Sequence, residues 1–243
     1  MVTPRKPRPA GSTSGPADAP GRAAGHGNGP FDSAGTRDRA DGGADPGSSP
    51  GGNAAALNFA GHFLIAMPSM LDPVFGGSVV YLCEHNADGA LGLIINKPTD
   101  MTMDTLFERI ELQLEIGAGA APVDKQPVMF GGPVQVERGF VLHAPPGLYN
   151  SMIRVTDEIA LTTSKDVLEA VGSGHGPQSF LVSLGCAGWG AGQLEDEIGR
   201  NGWLTVAAQR DIIFNTPIEA RFTAALKLLG VDPMMLSGEA GHA

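Results

Sequence analysis

The stretch that most constrains this chain runs from Leu181 to Ile198, LVSLGCAGWGAGQLEDEI. It opens as a short apolar strand, passes through a glycine-rich turn carrying one tryptophan, and ends as an acidic helix start. A glycine-rich turn between strand and helix is a candidate phosphate cradle, because backbone N–H groups and the helix dipole favour an anion there. The residues argue against it. The dinucleotide fingerprint G-x-G-x-x-G ends on Gln193 when started at Gly188 and on Glu195 when started at Gly190. No Gly-Lys-Ser/Thr occurs anywhere. Glu195, Asp196 and Glu197 occupy the first helical turn, where they use the dipole themselves and repel phosphate. The plainer reading is structural: glycines let strand, Trp189 and helix approach closely, and Trp189 anchors the turn in the core. A pocket beside Trp189 and Gln193 stays open as an alternative.

Composition divides the 243 residues in two. Met1 to Ala56 is rich in Gly, Pro, Ser, Ala and Asp, with Phe31 its only aromatic residue. Such a segment buries too little apolar surface to offset its ordering entropy, so disorder is expected over residues 1–56. Residues 57–243 fit one domain with a sizeable core. The tail carries a net charge of +1, which leaves −11 for the domain. An envelope that acidic is a poor partner for nucleic acid and for anionic membrane surfaces. Arg5, Lys6 and Arg8 lie close together, but no apolar run follows, so the start does not read as a secretory signal. No apolar run approaches the roughly 20 residues a membrane helix needs. Cys83 and Cys186 make no disulfide framework, and reduced thiols in a cytoplasmic protein are the expectation.

Along the domain, Phe63–Met67 reads as the first strand. Ser78–Glu84 and Ala90–Asn96 read as a hairpin around Asp88-Gly89, apolar on both faces and therefore central in its sheet. A helix is expected after Thr102 as N-cap, with Met103, Leu106, Phe107, Ile110 and Leu114 on one face. Strands are expected at 128–130, 139–143, 152–155, 159–161 and 203–207, and a helix at 163–171. The segment 209–214 is ambiguous between helix and strand. Thr216-Pro217-Ile218-Glu219 has the form of a capping box, opening a last helix that Gly230 stops. Strands outnumber helices without regular alternation, which predicts an α+β fold with a mixed sheet.

Candidate chemistry is sparse. Cys83 and His85 share a face if their strand is regular, but no second Cys/His pair completes a zinc site. Cys186, in a turn before a helix, could have a lowered thiol pKa, yet the acids that follow oppose this. Glu195 and Glu197 are two apart on a helix and do not face each other, so they read as a solvated acid cluster. No catalytic residue, metal ligand or cofactor is assigned. Candidate binding residues are Asn96, Lys97, His143, Trp189 and Gln193, polar or aromatic groups at the ends of predicted strands.

Six ordered blocks carry a family resemblance: Gly61–Pro68, Ser78–His85, Gly92–Pro98, Gly131–Val134, Arg138–His143, and Gly188-Trp189 through Glu195. On these blocks the domain resembles the YqgE/AlgH family of small bacterial proteins. Cys186 stands where that pattern usually has Tyr, and Phe222 where Trp is usual. The resemblance implies a single α+β domain with a bifurcated sheet curled into a pseudo-barrel with flanking helices, in the bacterial cytoplasm. It supplies no reaction, although members are often labelled transcriptional regulators. Two functions follow as expectations: a non-enzymatic regulatory protein working through a protein partner, or a small-molecule-binding protein or enzyme with a pocket near the Gly-Trp turn.

Overall fold

The structure, a computed structural model, describes residues 58–113 and 123–230. The expected tail over 1–56 and Leu114 lie outside them. Ten strands form one mixed sheet: β1 His62–Ala66, β2 Val79–Asn86, β3 Gly89–Ile94, β4 Pro98–Thr102, β5 Pro127–Phe130, β6 Val134–Ala144, β7 Met152–Arg154, β8 Ala160–Thr162, β9 Ser179–Gly190 and β10 Trp203–Ala207. Five helices accompany them: α1 Met103–Arg109, α2 Asp166–Gly172, α3 Gln193–Gly199, α4 Arg210–Phe214 and α5 Arg221–Leu228. The main path runs β10-β1-β2-β3-β9-β6-β8-β7, with β2–β3 central as expected. The sheet curls into a half-barrel, and the α+β expectation holds.

The sheet divides at β9. One edge of this strand pairs antiparallel with β6 from Ser179 to Cys186. Along the other edge, β5 pairs parallel at Ser183 and Leu184, and β3 pairs antiparallel from Ala187 to Gly190. Gly131 closes the angle of this fork. Its carbonyl accepts from Ile94 N at 2.9 Å, and its N–H donates to Leu184 O at 2.9 Å. A Cβ on Gly131 would stand 2.2 Å from Gly185 O, so only glycine fits.

Both faces of the sheet are buried, which is why its strands read as unbroken apolar runs. Phe63, Ile65, Val79 and Tyr81 pack on one face with Ala225 and Leu226 of α5. Leu64, Val80 and Leu82 pack on the other with Trp189, Trp203 and Leu194 of α3. Further along, Val141 and Val182 lie under α1 and α2.

Several expectations need correcting. The glycine-rich "turn" after Leu184 is strand as far as Gly190. Gly185, at φ +73°, acts as a bulge: Leu181 and Cys186 face one core, whereas Leu184, Ala187 and Trp189 face the opposite side. The strand therefore changes faces instead of stopping. Pro98–Thr102, too polar to read as a strand, pairs with β5. Thr102 holds the N-cap position of α1, but its hydroxyl bonds Asp104 rather than a helix N–H. The capping box at Thr216–Glu219 does not form. Thr216 Oγ1 donates back to Asp211 O at 3.2 Å, and 218–220 is a 3-10 turn ahead of α5. The ambiguous 209–214 resolves as α4.

Candidate functional site

The five residues singled out from the sequence fall into three settings. Asn96 and Lys97 pin the loop between β1 and β2. Asn96 Oδ1 accepts from Val79 N at 2.8 Å, its Nδ2 donates to Gly77 O at 2.9 Å, and Lys97 Nζ donates to Val74 O at 2.6 Å. His143 is fully buried in β6, edge-on to Tyr149 with ring centroids 5.2 Å apart. Pro145 O can only accept, so His143 Nδ1 donates to it at 3.2 Å, and Nε2 accepts from the Thr162 hydroxyl at 2.8 Å. Trp189 and Gln193 meet at α3. Their hydrogen bonds run to separate sets of partners, so the five do not converge on one site, although Trp189 also borders a shallow cavity of about 210 Å³ beside Glu84–Leu91.

Burial holds the His143 imidazole below its ordinary 6.5, against the opposing hydrogen bond to Pro145. The unfolded chain then takes up this proton first. The stability His143 contributes is present above about pH 6.5 and lost as pH falls below it toward the folded value. Urea midpoints at pH 7.5 and 5.5 should show the drop, and His143→Phe should flatten it.

Sequence reasoning missed the group that organises the Trp189 setting. Glu197 Oε2 accepts from both indoles, Trp189 Nε1 at 2.9 Å and Trp203 Nε1 at 2.8 Å. Its Oε1 accepts from Gln193 Nε2 at 2.9 Å, while Gln193 Oε1 takes the Gly190 N–H. The indoles stand edge to face at 6.0 Å, with Phe75 against both. Glu195 reaches the opposite way: His85 Nδ1 accepts from Phe59 N, so His85 Nε2 donates to Glu195 Oε1 at 3.0 Å. The expected solvated acid cluster is therefore two separate structural anchors. The i,i+4 spacing of Gln193 and Glu197 was the available signal.

The thiols are inert by position. A bulge between Leu82 and Glu84 turns Cys83 into the core of Tyr81, while His85 stacks on Phe59 across the sheet. The expected shared face is lost there. Burial pushes both thiols up, Cys83 strongly and Cys186 against the opposing charge of Arg138. Cys186 sits within β9, with no helix start beside it.

A more enclosed cavity, of about 310 Å³, lies elsewhere on the sheet. It lies where the fork leaves the edge of β9 opposite β6 without a strand partner at 179–182, and it is bounded by β5, the start of α1, the end of α4 and Arg221 of α5. Arg221 is only 6% exposed. It donates from Nε to Thr216 O at 3.1 Å and from Nη1 to Ile95 O. Burial pulls its guanidinium down to about 10, Glu219 opposing. Arg221 shares a helical face with Ala225, four residues on, and a charge on an apolar face was the sequence signal for it.

Fold and site together define an α+β protein on a divided, curled sheet, with Glu195, Glu197, His85 and His143 committed to structural bonds and a cavity facing a buried arginine. The chain belongs to the AlgH-like family, whose model matches residues 63–234. It is 64% identical over 189 residues to a UPF0301 protein of Cupriavidus pinatubonensis, covering 78% of this chain and 97% of that one. A UPF0301 protein of Bordetella petrii is 61% identical over 191 residues, covering 79% and 92%. Among solved structures, the solution structure of AlgH from Pseudomonas aeruginosa matches at TM-score 0.62 and 44% identity, covering 82% of this chain and all of that one. A Corynebacterium diphtheriae crystal structure, 18% identical at TM-score 0.56 over 75% of this chain and 91% of that one, shows the fold alone. Among the described residues no helix is long and apolar enough to cross a membrane.

Proposed function

We propose that this protein acts by binding, as a regulatory protein of the bacterial cytoplasm that works through a protein partner. The observation that carries the reading is the segment 135–138 of β6. It pairs with no strand among the described residues, because β9 rejoins only at Gly139 and β8 spans only 141–143. Val136 stands 51% exposed there, and Val134 beside it, paired with Cys186, 41%. The segment is a bulge of β6 opposite Gly185, with Gln135 at φ +50°, and an exposed valine beside unpaired backbone groups is a contact point for another polypeptide. The commitment of Glu195, Glu197, His85 and His143 to structural bonds supports binding over covalent chemistry. The charge of −11 opposes direct contact with DNA, so a regulatory effect on transcription would pass through the partner.

The test is capture by the tagged full chain in its native cell, repeated with purified candidates. A protein held by the wild type should be lost at least tenfold by Val136→Asp, whose thermal midpoint stays unchanged. A specific gel shift of DNA by the purified chain alone, at physiological salt, would overturn the reading. A second reading, direct binding of a small molecule, is favoured by the cavity at Arg221.

A further inference from the structure

Arg221 is the only lysine or arginine buried among the described residues. Burying a guanidinium costs several kcal/mol unless charge or hydrogen bonds compensate it. Its bonds go to two neutral carbonyls, and no carboxylate among the described residues lies within ion-pair distance. Nη2 donates to no acceptor among those residues, and Arg221 lines the cavity.

The surroundings select one kind of occupant. No Asp or Glu among the described residues lines this cavity, although acids dominate the domain. A second guanidinium stands at its rim, where Arg210 Nη2 donates to Ser179 Oγ at 3.2 Å. The unpaired edge of β9 at 179–182 adds backbone groups without a strand partner. Gln126, Gln178 and Asn215 supply neutral polar contacts, and Met129, Phe214 and Ile218 supply apolar wall. About 310 Å³ is the small end of the ligand-pocket range of roughly 300–1,000 Å³.

We infer that this cavity binds a small organic carboxylate with an apolar body, its carboxylate on Arg221 and its body against Phe214 and Met129. A guanidinium matches a carboxylate in geometry and charge. Arg221 is the one cation lining the cavity among the described residues, so a doubly charged phosphate would be undercompensated there. The inference stands apart from the protein-partner reading, since Val136 lies on another element and Val136→Asp should leave carboxylate binding intact.

The test is an NMR titration of the full chain with hexanoate and phenylacetate, alongside the neutral hexanamide and phenylacetamide, and inorganic phosphate. The acids should give saturable shifts at Ser179, Phe214 and Arg221. The amides should bind at least tenfold more weakly, and phosphate should not displace the acids at equal concentration. Arg221→Lys should weaken the acids about tenfold. Arg221 also ties α5 to Ile95, so its variants can lose stability as well. Gln178→Glu covers that case: it places a competing carboxylate at the exposed rim and should weaken the acids at least fivefold at an unchanged thermal midpoint. Equal binding of acids and amides, displacement by phosphate, no saturable shift, or full affinity in Gln178→Glu would each overturn the inference.

Discussion

Gly131→Ala is expected to cost about 3 kcal/mol or more and to lower the thermal midpoint by about 6–12 °C. The added Cβ would stand 2.2 Å from Gly185 O and 2.8 Å from Ser183 Oγ. The first of these is backbone, and it cannot turn aside as a side chain can. Relief would require β9 to move away from Gly131, breaking the bond from Gly131 N to Leu184 O and straining the one from Ile94 N to Gly131 O. Gly139→Ala is the matched control. It lies in β6, has nothing within 4 Å of the new carbon, and should change the midpoint by little. Calorimetry of the pair separates the demand for glycine at the fork from the general effect of adding a methyl group to a strand. Equal midpoints for the two variants would show that the fork tolerates a side chain.

Glu197→Ala is expected to destabilise by about 2–4 kcal/mol, because it strands two indole N–H donors in partly buried positions. Glu197→Gln keeps an acceptor oxygen and should cost about 1–2 kcal/mol. The chain holds only two tryptophans, and both donate to this one carboxylate, so intrinsic fluorescence reports on the site without labelling. Emission should move to the red in Glu197→Ala and stay close to wild type in Glu197→Gln. Urea unfolding followed at the same wavelength gives the stability difference. Unchanged emission in Glu197→Ala would mean that water satisfies both indoles equally well.

The fold was legible where local pattern and tertiary role agree. The hairpin of β2 and β3, the apolar face of α5 and its stop at Gly230 follow from periodicity and turn residues alone. The misreadings share a physical cause. Gly185 looks like punctuation in sequence, yet φ +73° within a strand is also a bulge, and only the pairing to β6 and β3 decides between them. The same holds at Cys83, where one extra residue moves His85 to the opposite face. Thr216 and Glu219 have the spacing of a cap, but Arg221 draws Thr216 O toward itself and the first turn tightens. Of the candidate site, Trp189 and Gln193 were legible as neighbours of the glycine stretch. Glu197 and Arg221 had only weak local signals, because the shared contact of Glu197 needs Trp189 and Trp203 brought together from β9 and β10, and the carbonyl Arg221 reaches lies 126 residues away.

The three partnerships of β9 also impose an order on biosynthesis. Its contacts reach back to residues 89–94, 127–130 and 134–144, so each of those segments, although it has a second strand partner in β2, β4 or β8, keeps one edge open until β9 has left the ribosome. A nascent or truncated polypeptide ending before that point exposes several hungry strand borders at once, the condition under which chains cross-associate. Completion of this one segment covers three of those borders at once, leaving β1 to await β10.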